Sequence, residues 1–358
     1  MEHLAMLYLS NNYLSGKIHN QWRDLPSLGI IDLSGNNLQG EIPSSICSLP
    51  ALFWLKLSSN NLSGEISFAF QNCKGLTMLD LGENRFYANI PKYTGKDFLS
   101  LSELRIRAKM FSGNIPEQLC SLTHLHILDL ALNNLSGSIP SCLGKLGALN
   151  SLISYSPYKP SRSDLYGPQM QMETEMELEM EMKKEMELSN NLQGEIPELI
   201  TDLSTLGTLN LSHNRLTGKI PEKIGSLQRL ETLDLSCNHL SDPIPLTMSS
   251  MTSLNSLNLS FNNLSGPIPS VNQFLTFNDP SIYEGNPELC GPPLATKCLM
   301  PNDRDADGNQ HVKTHKDEDE NENLGFYLGM ALGLAFRCYE LMMMNLNRLR
   351  RMMGAEHN

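Results

Sequence analysis

The stretch Leu230-Glu231-Thr232-Leu233-Asp234-Leu235-Ser236-Cys237-Asn238-His239-Leu240-Ser241-Asp242-Pro243-Ile244-Pro245 decides the reading of this 358-residue chain, because its frame recurs at a fixed spacing. Asparagine stands at Asn12, Asn36, Asn60 and Asn84, 24 residues apart, and the rhythm resumes at Asn133, Asn190, Asn214, Asn238 and Asn262. A period of that length marks a solenoid, in which each repeat is a coil that buries its apolar side only by stacking on its neighbours. Around each asparagine sit leucine or a close substitute five and three residues before, an apolar residue two after, glycine four after, then isoleucine and usually proline. In the quoted copy Asp242 takes the glycine slot. The Leu-x-Leu alternation predicts a short strand with one side buried, and the asparagine follows that strand into the interior. Each asparagine is therefore expected to tie the loop backbone of one coil to the next, since a buried polar group left unpaired costs about 1–3 kcal/mol.

This frame, with its Gly-x-Ile-Pro ending, resembles the plant extracellular leucine-rich repeat. The resemblance implies a strand-dominated α/β solenoid, a curved superhelix in which the Gly-x-Ile-Pro segment adds a second extended strand to each coil. Ten copies are readable, starting at Leu4, Leu28, Leu52, Leu76, Leu101 and Leu125, and after a break at about Met186, Leu206, Leu230 and Leu254. In the fifth copy Lys109 occupies the asparagine slot, while Phe111, Gly113, Ile115 and Pro116 keep the frame. Lysine accepts no hydrogen bond, so it is expected to snorkel outward and leave a weak rung. The copy at Leu188-Ser189-Asn190 is one residue short, which predicts a poorly formed strand.

At about 4.8 Å per strand, ten coils run roughly 45–50 Å, one elongated body with a core that grows coil by coil. Its ends need polar caps. Met1 falls almost inside a repeat, without a cap or a secretory signal peptide before it, and the apolar run near the other end is broken, so a chain truncated at both ends is one expectation. The net charge of −12 is concentrated in two segments. Residues 173–187 hold seven acids and two lysines, and residues 303–323 hold eight acids and three bases. The solenoid itself is nearly neutral and has no basic stripe, which argues against nucleic acid as a partner.

A non-repeat island followed by four repeats and a cap resembles the ectodomain plan of the plant receptor-like proteins, which carry extracellular leucine-rich repeats and no kinase. The resemblance is close over 203–298, including Asn272-Gln273-Phe274 and Tyr283-Glu284-Gly285-Asn286. It divides the chain into leucine-rich repeats at 1–152, an island at 153–185, four repeats at 186–269 and a C-terminal cap at 270–298. An acidic juxtamembrane spacer at 299–323, a degenerate transmembrane segment at 324–344 and a basic tail at 345–358 follow. Cys290 and Cys298, flanking Gly291-Pro292-Pro293-Leu294, match the disulfide-closed cap of these proteins, which implies an oxidising compartment. Cys47 with Cys73, and Cys120 with Cys142, fall on neighbouring coils and read equally as bridges or as small buried fillers. Five sequons, at Asn61, Asn134, Asn210, Asn258 and Asn263, agree with an extracellular location.

Within the island, Met170 to Glu187 alternates methionine and glutamate. That composition reads as a low-complexity expansion in preference to a thioether copper site. Asp303 to Gly308 begins like a calcium loop, but Thr314 stands where the bidentate glutamate is required. No metal or other cofactor is expected. The apolar run Leu324 to Phe336 ends at Arg337 and Glu340, and a helix of that length rises about 20 Å against a hydrocarbon core of about 30 Å. It resembles the first half of the family's single membrane span, so a marginal span with the repeats outside and the basic end cytoplasmic is expected.

No kinase, phosphate-loop or zinc-protease motif is present, and His124 and His126 read as surface residues, so an enzyme is not expected. Binding falls to side chains that the strands point away from the core. Four residues before each asparagine slot stand Tyr8, Asp32, Lys56, Asp80, Arg105, Asp129, Asn210, Asp234 and Asn258, and six before stand Trp54 and Met78. Trp54, Lys56, Asp80, Glu83, Arg105 and Arg107 therefore gather on adjacent rungs as the candidate ligand site, with an aromatic and arginines as anchors. Glycans on Asn210 and Asn258 would cover the later concave surface, while Asn61 and Asn134 leave the earlier part open. The family resemblance implies a peptide or protein ligand, a receptor-like kinase adaptor, and a somatic-embryogenesis-type co-receptor kinase meeting Thr208, Thr232 and Ser256. Such a protein acts at the cell membrane in defence or development. A secreted inhibitor of a microbial cell-wall-degrading enzyme, a structural matrix protein and a non-functional truncated receptor are the alternatives.

Overall fold

The computed structural model describes residues 3–22, 24–66, 70, 73–92, 100–107, 111–150 and 184–298. Lys109, most of the Met-Glu segment, the acidic spacer and the apolar run Leu324 to Phe336 lie outside these residues. No helix among the described residues is long and apolar enough to cross a membrane.

The Leu-x-Leu stretches form one ten-stranded parallel sheet, ordered as in the chain. Its strands are β1 (Met6–Tyr8), β2 (Ile30–Asp32), β3 (Trp54–Lys56), β4 (Met78–Asp80) and β5 (Glu103–Arg105). Then come β6 (Ile127–Asp129), β7 (Glu185–Glu187), β8 (Thr208–Asn210), β9 (Thr232–Asp234) and β10 (Ser256–Asn258). Middle residues stack in register, Ile31 on Leu55 on Leu79, and are buried from β2 to β10. The next leucine of the frame, just after each strand, also turns inward, with Leu33, Leu57 and Leu235 all buried. Beyond the asparagine the chain extends again, as at Asn61–Gly64 and Arg215–Lys219, and builds short parallel sheets on the flank. Gly218 closes that segment at φ +74°, and a Cβ there would lie 2.9 Å from Cγ of Glu195. Asp242 fills the same slot at φ 66°, a conformation that aspartate tolerates better than most residues. A proline then leads into a single 3₁₀ turn, such as Glu222–Ser226, which buries one aliphatic on the convex side, Ile224 in that coil.

The asparagine ladder is formed as the sequence predicts. Asn238 donates Nδ2 to the carbonyls of Leu211 at 2.9 Å, Leu235 at 3.1 Å and Ser236 at 3.2 Å, and its Oδ1 accepts the amide of Leu216 at 3.0 Å. One side chain thus satisfies its own turn and stitches it to the preceding coil. The cap continues the device: Asn286 Oδ1 accepts the amide of Leu264 at 3.0 Å, and its Nδ2 donates to the carbonyl of Leu259 at 3.0 Å. Tyr283 is fully buried beneath it. The cap is therefore an eleventh coil in its polar bonding, closed by the disulfide Cys290–Cys298. Cys47–Cys73 and Cys120–Cys142 are also disulfides, each joining adjacent coils on the convex side.

The seventh repeat corrects the sequence reading. Its strand β7 is fully formed, paired with β6 over Ile127 to Asp129 and with β8 over Thr208 to Asn210. The missing residue belongs to the loop. Other coils place a left-handed residue before the asparagine, such as Ser59 at φ 55° or Cys237 at φ 54°, and the short copy omits it. Asn190 still holds the ladder, accepting the amide of Leu135 and donating to the carbonyl of Leu130. Lys184 fastens the other end, donating Nζ to the carbonyl of Ala148 at 3.0 Å and to Oγ1 of Thr205 at 2.9 Å. Ala148 lies in the one-turn helix α1 (Gly147–Asn150). The stack is thus continuous from the sixth coil to the seventh.

Candidate ligand-binding face

The first and third residues of every strand stand on the concave side, where the parallel register lines them up in two rows. The third row is Tyr8, Asp32, Lys56, Asp80, Arg105, Asp129, Glu187, Asn210, Asp234 and Asn258. Most of its acids and amides serve the fold. Asp32 Oδ1 accepts the amide of Ser34 two residues on, at 2.9 Å, and the same bond joins Asp80 to Gly82, Asp129 to Ala131 and Asp234 to Ser236. Asn210 accepts from Ser212 and Asn258 from Ser260 in the same way. A short Asx side chain closes this turn, whereas tyrosine, lysine and arginine offer no such acceptor and glutamate is one methylene longer.

Four rungs depart from that rule: Tyr8, Lys56, Arg105 and Glu187. Two positions beyond the third row, serine is usual, and the departures Gly82, Arg107 and Ala131 fall on three consecutive coils. Side chains that the turn does not require are thus concentrated between β3 and β7. Trp54 and Met78 are neighbours in the first row, giving this stretch an apolar edge. Lys56 lies between the rungs of Asp32 and Asp80 and makes no direct ion pair among the described residues.

The two arginines anchor two separate ion-pair clusters, both ending on β7. Arg105 pairs with Glu103 on its own strand and, at 3.7 Å, with Glu185 on β7. Arg107 pairs with Asp129 at 2.8 Å and with Glu187 at 3.3 Å. Glu187 also accepts Nδ2 of Asn210 at 2.9 Å. Burial pushes the Glu187 carboxyl up to about 7, against the opposing pull of Arg107. Burial likewise raises Asp80 and Asp234 above the usual carboxylate range.

Of the six residues singled out in the sequence, Trp54, Lys56, Asp80 and Arg105 do share the sheet, whereas Arg107 follows β5 and pairs with Asp129 and Glu187 on the later rungs. Asp80 is 8% exposed and is held by Gly82 and by the Ser58 hydroxyl, so it acts as scaffold. Glu83 sits in the turn at φ 53°, its amide donating to the carbonyl of Arg107 and its carboxylate accepting from the Ser59 hydroxyl, and among the described residues it makes no ion pair with either arginine. The sequence reading missed Glu103, Glu185 and Glu187. The deletion before Asn190 shifts the four-residue count onto Met186 and hides Glu187. The histidines are a second correction: His124 and His126 are half-buried, and desolvation lowers the pKa of His126, with Glu103 opposing. Thr208, Thr232 and Ser256 stack as the first row of the last three strands. Among the sequons, Asn61, Asn134 and Asn263 are exposed on the flank, whereas Asn210 and Asn258 are half-buried in the third row.

Leucine-rich-repeat family models match residues 2–62, 124–146 and 204–264, in both blocks of the solenoid. The receptor-like protein EIX2 of Solanum lycopersicum is 44% identical over 269 residues, 71% of this chain and 26% of that protein. The chain is a leucine-rich-repeat protein, similar to the plant receptor-like proteins. This leucine-rich-repeat protein spans about a quarter of the length of that tomato relative. The ectodomain of the Arabidopsis receptor kinase HAESA, solved with an extended IDA peptide hormone ligand, is 31% identical with a TM-score of 0.61, over 81% of this chain and 46% of that one. A second HAESA structure, with IDA and the co-receptor SERK1, has a TM-score of 0.52 at 27% identity, over 81% and 50% of the two chains. A plant ice-binding protein has a TM-score of 0.63 at 26% identity, over 82% of this chain and 84% of that one. The leucine-rich-repeat protein described here thus shares its solenoid with receptors and with a protein of another use, and its side chains must separate them.

Proposed function

We propose that this protein is a non-enzymatic, cell-surface receptor ectodomain that binds a peptide or protein ligand across the concave side of coils three to seven. The observation that carries this reading is the concentration, between β3 and β7, of side chains that the turn geometry does not call for. Trp54, Lys56, Arg105 and Arg107 are aromatic and cationic anchors of the kind that dominate binding energy. Ligands of this class lie along an exposed row of alternating side chains on a rigid sheet, which here supplies both rows at fixed spacing. Thr208, Thr232 and Ser256 form a smaller, uncharged edge near the cap, suited to a co-receptor kinase, as in the HAESA complex with SERK1. Signalling then passes through partner kinases in defence or development, with the repeats facing the cell exterior, as three disulfides favour.

The likeness to an ice-binding protein favours no second reading, because the concave rungs carry opposed charges in place of a uniform array. The test is a thermal-shift screen of the secreted protein against synthetic plant and microbial peptides, run in parallel with its Trp54→Ala variant. A stabilising ligand shifts the unfolding equilibrium by mass action. Peptides that stabilise the parent and not the variant support the reading. A screen whose every hit stabilises both equally contradicts it.

A further inference from the structure

Strand β7 is where the two repeat blocks meet, and it is the one strand of the sheet whose first and third residues are both carboxylates, Glu185 and Glu187. They face a cluster already short of positive charge. From β5 come Glu103 and Arg105 and, two residues after the strand, Arg107; from β6 come Asp129 and, one residue before the strand, His126. From β8 comes the neutral Asn210, with His213 in the following loop and Asp234 one rung further on β9. Lys184 precedes β7 but turns away, toward Ala148 and Thr205. Four carboxylates therefore share two guanidinium groups, and Asp129 and Glu187 share one of them, on neighbouring rungs about 4.8 Å apart. Asp129 is fixed by a second bond, to the amide of Ala131. Among the described residues Glu187 has no backbone partner of that kind, and it is the member of the pair left to take a proton.

We infer that Glu187 is a proton-operated latch between the two repeat blocks. Protonated, it leaves Asp129 as the sole anion on Arg107 and keeps its bond from Asn210, so β7 is held without repulsion. Ionised, it sets a second carboxylate against Asp129 and Glu185 in a half-buried row, and the junction loosens. The carboxyl, raised by burial from the ordinary 4.5 to about 7, gives the sign. The folded state binds the proton more tightly than the unfolded one, so the stabilisation is complete below about 4.5 and is lost as pH rises through about 7. The half-buried His126 and His213, whose values are lowered, work in the opposite sense, so the latch is read as a difference between proteins and not as a raw profile.

The experiment compares urea unfolding of the intact protein and of Glu187→Gln at pH 5 and pH 7.5. The unfolding constant of the parent should rise at least roughly tenfold more than that of the variant over this interval. Parallel profiles would overturn the latch. Should the variant not fold, ¹³C-carboxyl NMR of glutamate-labelled parent protein gives the answer directly. A Glu187 midpoint near 7 supports the inference, and one near 4.5 overturns it. Asp129→Asn, which removes the neighbouring anion, should bring that midpoint down part of the way while burial still holds it above 4.5, and an unchanged midpoint would overturn the repulsion on which the latch rests.

Discussion

Arg107 of the fifth coil meets Glu187 of the seventh at 3.3 Å, reaching across the rung of Asp129 that lies between them. The pair joins residues 80 apart in sequence, one on each side of the break in the repeat pattern. Removing the arginine leaves two carboxylates facing each other. Arg107→Ala should therefore cost about 2–3 kcal/mol at pH 7.5, below the roughly 3–5 of a fully buried pair because a quarter of the side chain meets solvent. Chemical denaturation measures it, and a loss under about 0.5 kcal/mol would place the pair among ordinary surface bridges.

The ladder makes a sharper stability claim. Asn238→Ala strands the buried amide of Leu216, while the carbonyl of Leu211 keeps its bond from Asn214, for a loss of roughly 1–3 kcal/mol. Asn134→Ala, at the exposed flank, should cost under about 0.5 kcal/mol by the same measurement. Equal costs would show that the asparagines do not carry the stack.

Glycosylation should divide the five sequons. Asn210 donates Nδ2 to Glu187, and Asn258 bonds Asp234, so a glycan on either amide would have to be fitted onto a bonded nitrogen within a half-buried row. Asn134 offers its Oδ1 to Asn191 and leaves Nδ2 available. Peptide mapping of secreted, folded protein should find glycans on Asn61, Asn134 and Asn263, with Asn210 and Asn258 unmodified. Full occupancy at Asn210 in folded protein would contradict the placement of that side chain, and would shield the later concave surface as the sequence reading expected.

Sulfur chemistry gives a separate check on the compartment. Alkylation without reductant, followed by mass analysis of tryptic peptides, should leave Cys47, Cys73, Cys120, Cys142, Cys290 and Cys298 unmodified in secreted material. Alkylated Cys290 and Cys298 in folded protein would remove the main support for an extracellular location.

The strands, the ladder and the position of the cap were legible because a solenoid is nearly one-dimensional, so a residue's role follows from its place in the repeat. Leu233, Asn238 and Ile244 announce their burial by spacing alone. The site was less legible for two physical reasons. Asp32 and Arg105 occupy equivalent positions, and only the bond from Asp32 to the Ser34 amide shows that one serves the turn while the other is spare. Glu185 and Glu187 look like the end of a Met-Glu expansion, and the lost left-handed residue before Asn190 moves them out of count. Lone histidines such as His126 carried no signal, since their burial depends on the neighbouring rungs of Glu103 and Glu185.

The central claim, recognition on coils three to seven, is tested most directly by ligand affinity. Isothermal titration of a screened peptide into the parent, Trp54→Ala, Arg105→Ala and Thr232→Ala should show the first two weakened by about 1–3 kcal/mol each. Thr232→Ala should bind the peptide as the parent does and lose only its co-receptor. Folded Trp54→Ala and Arg105→Ala variants with the parent's affinity, or a loss confined to Thr232→Ala, would contradict the assignment of the binding face.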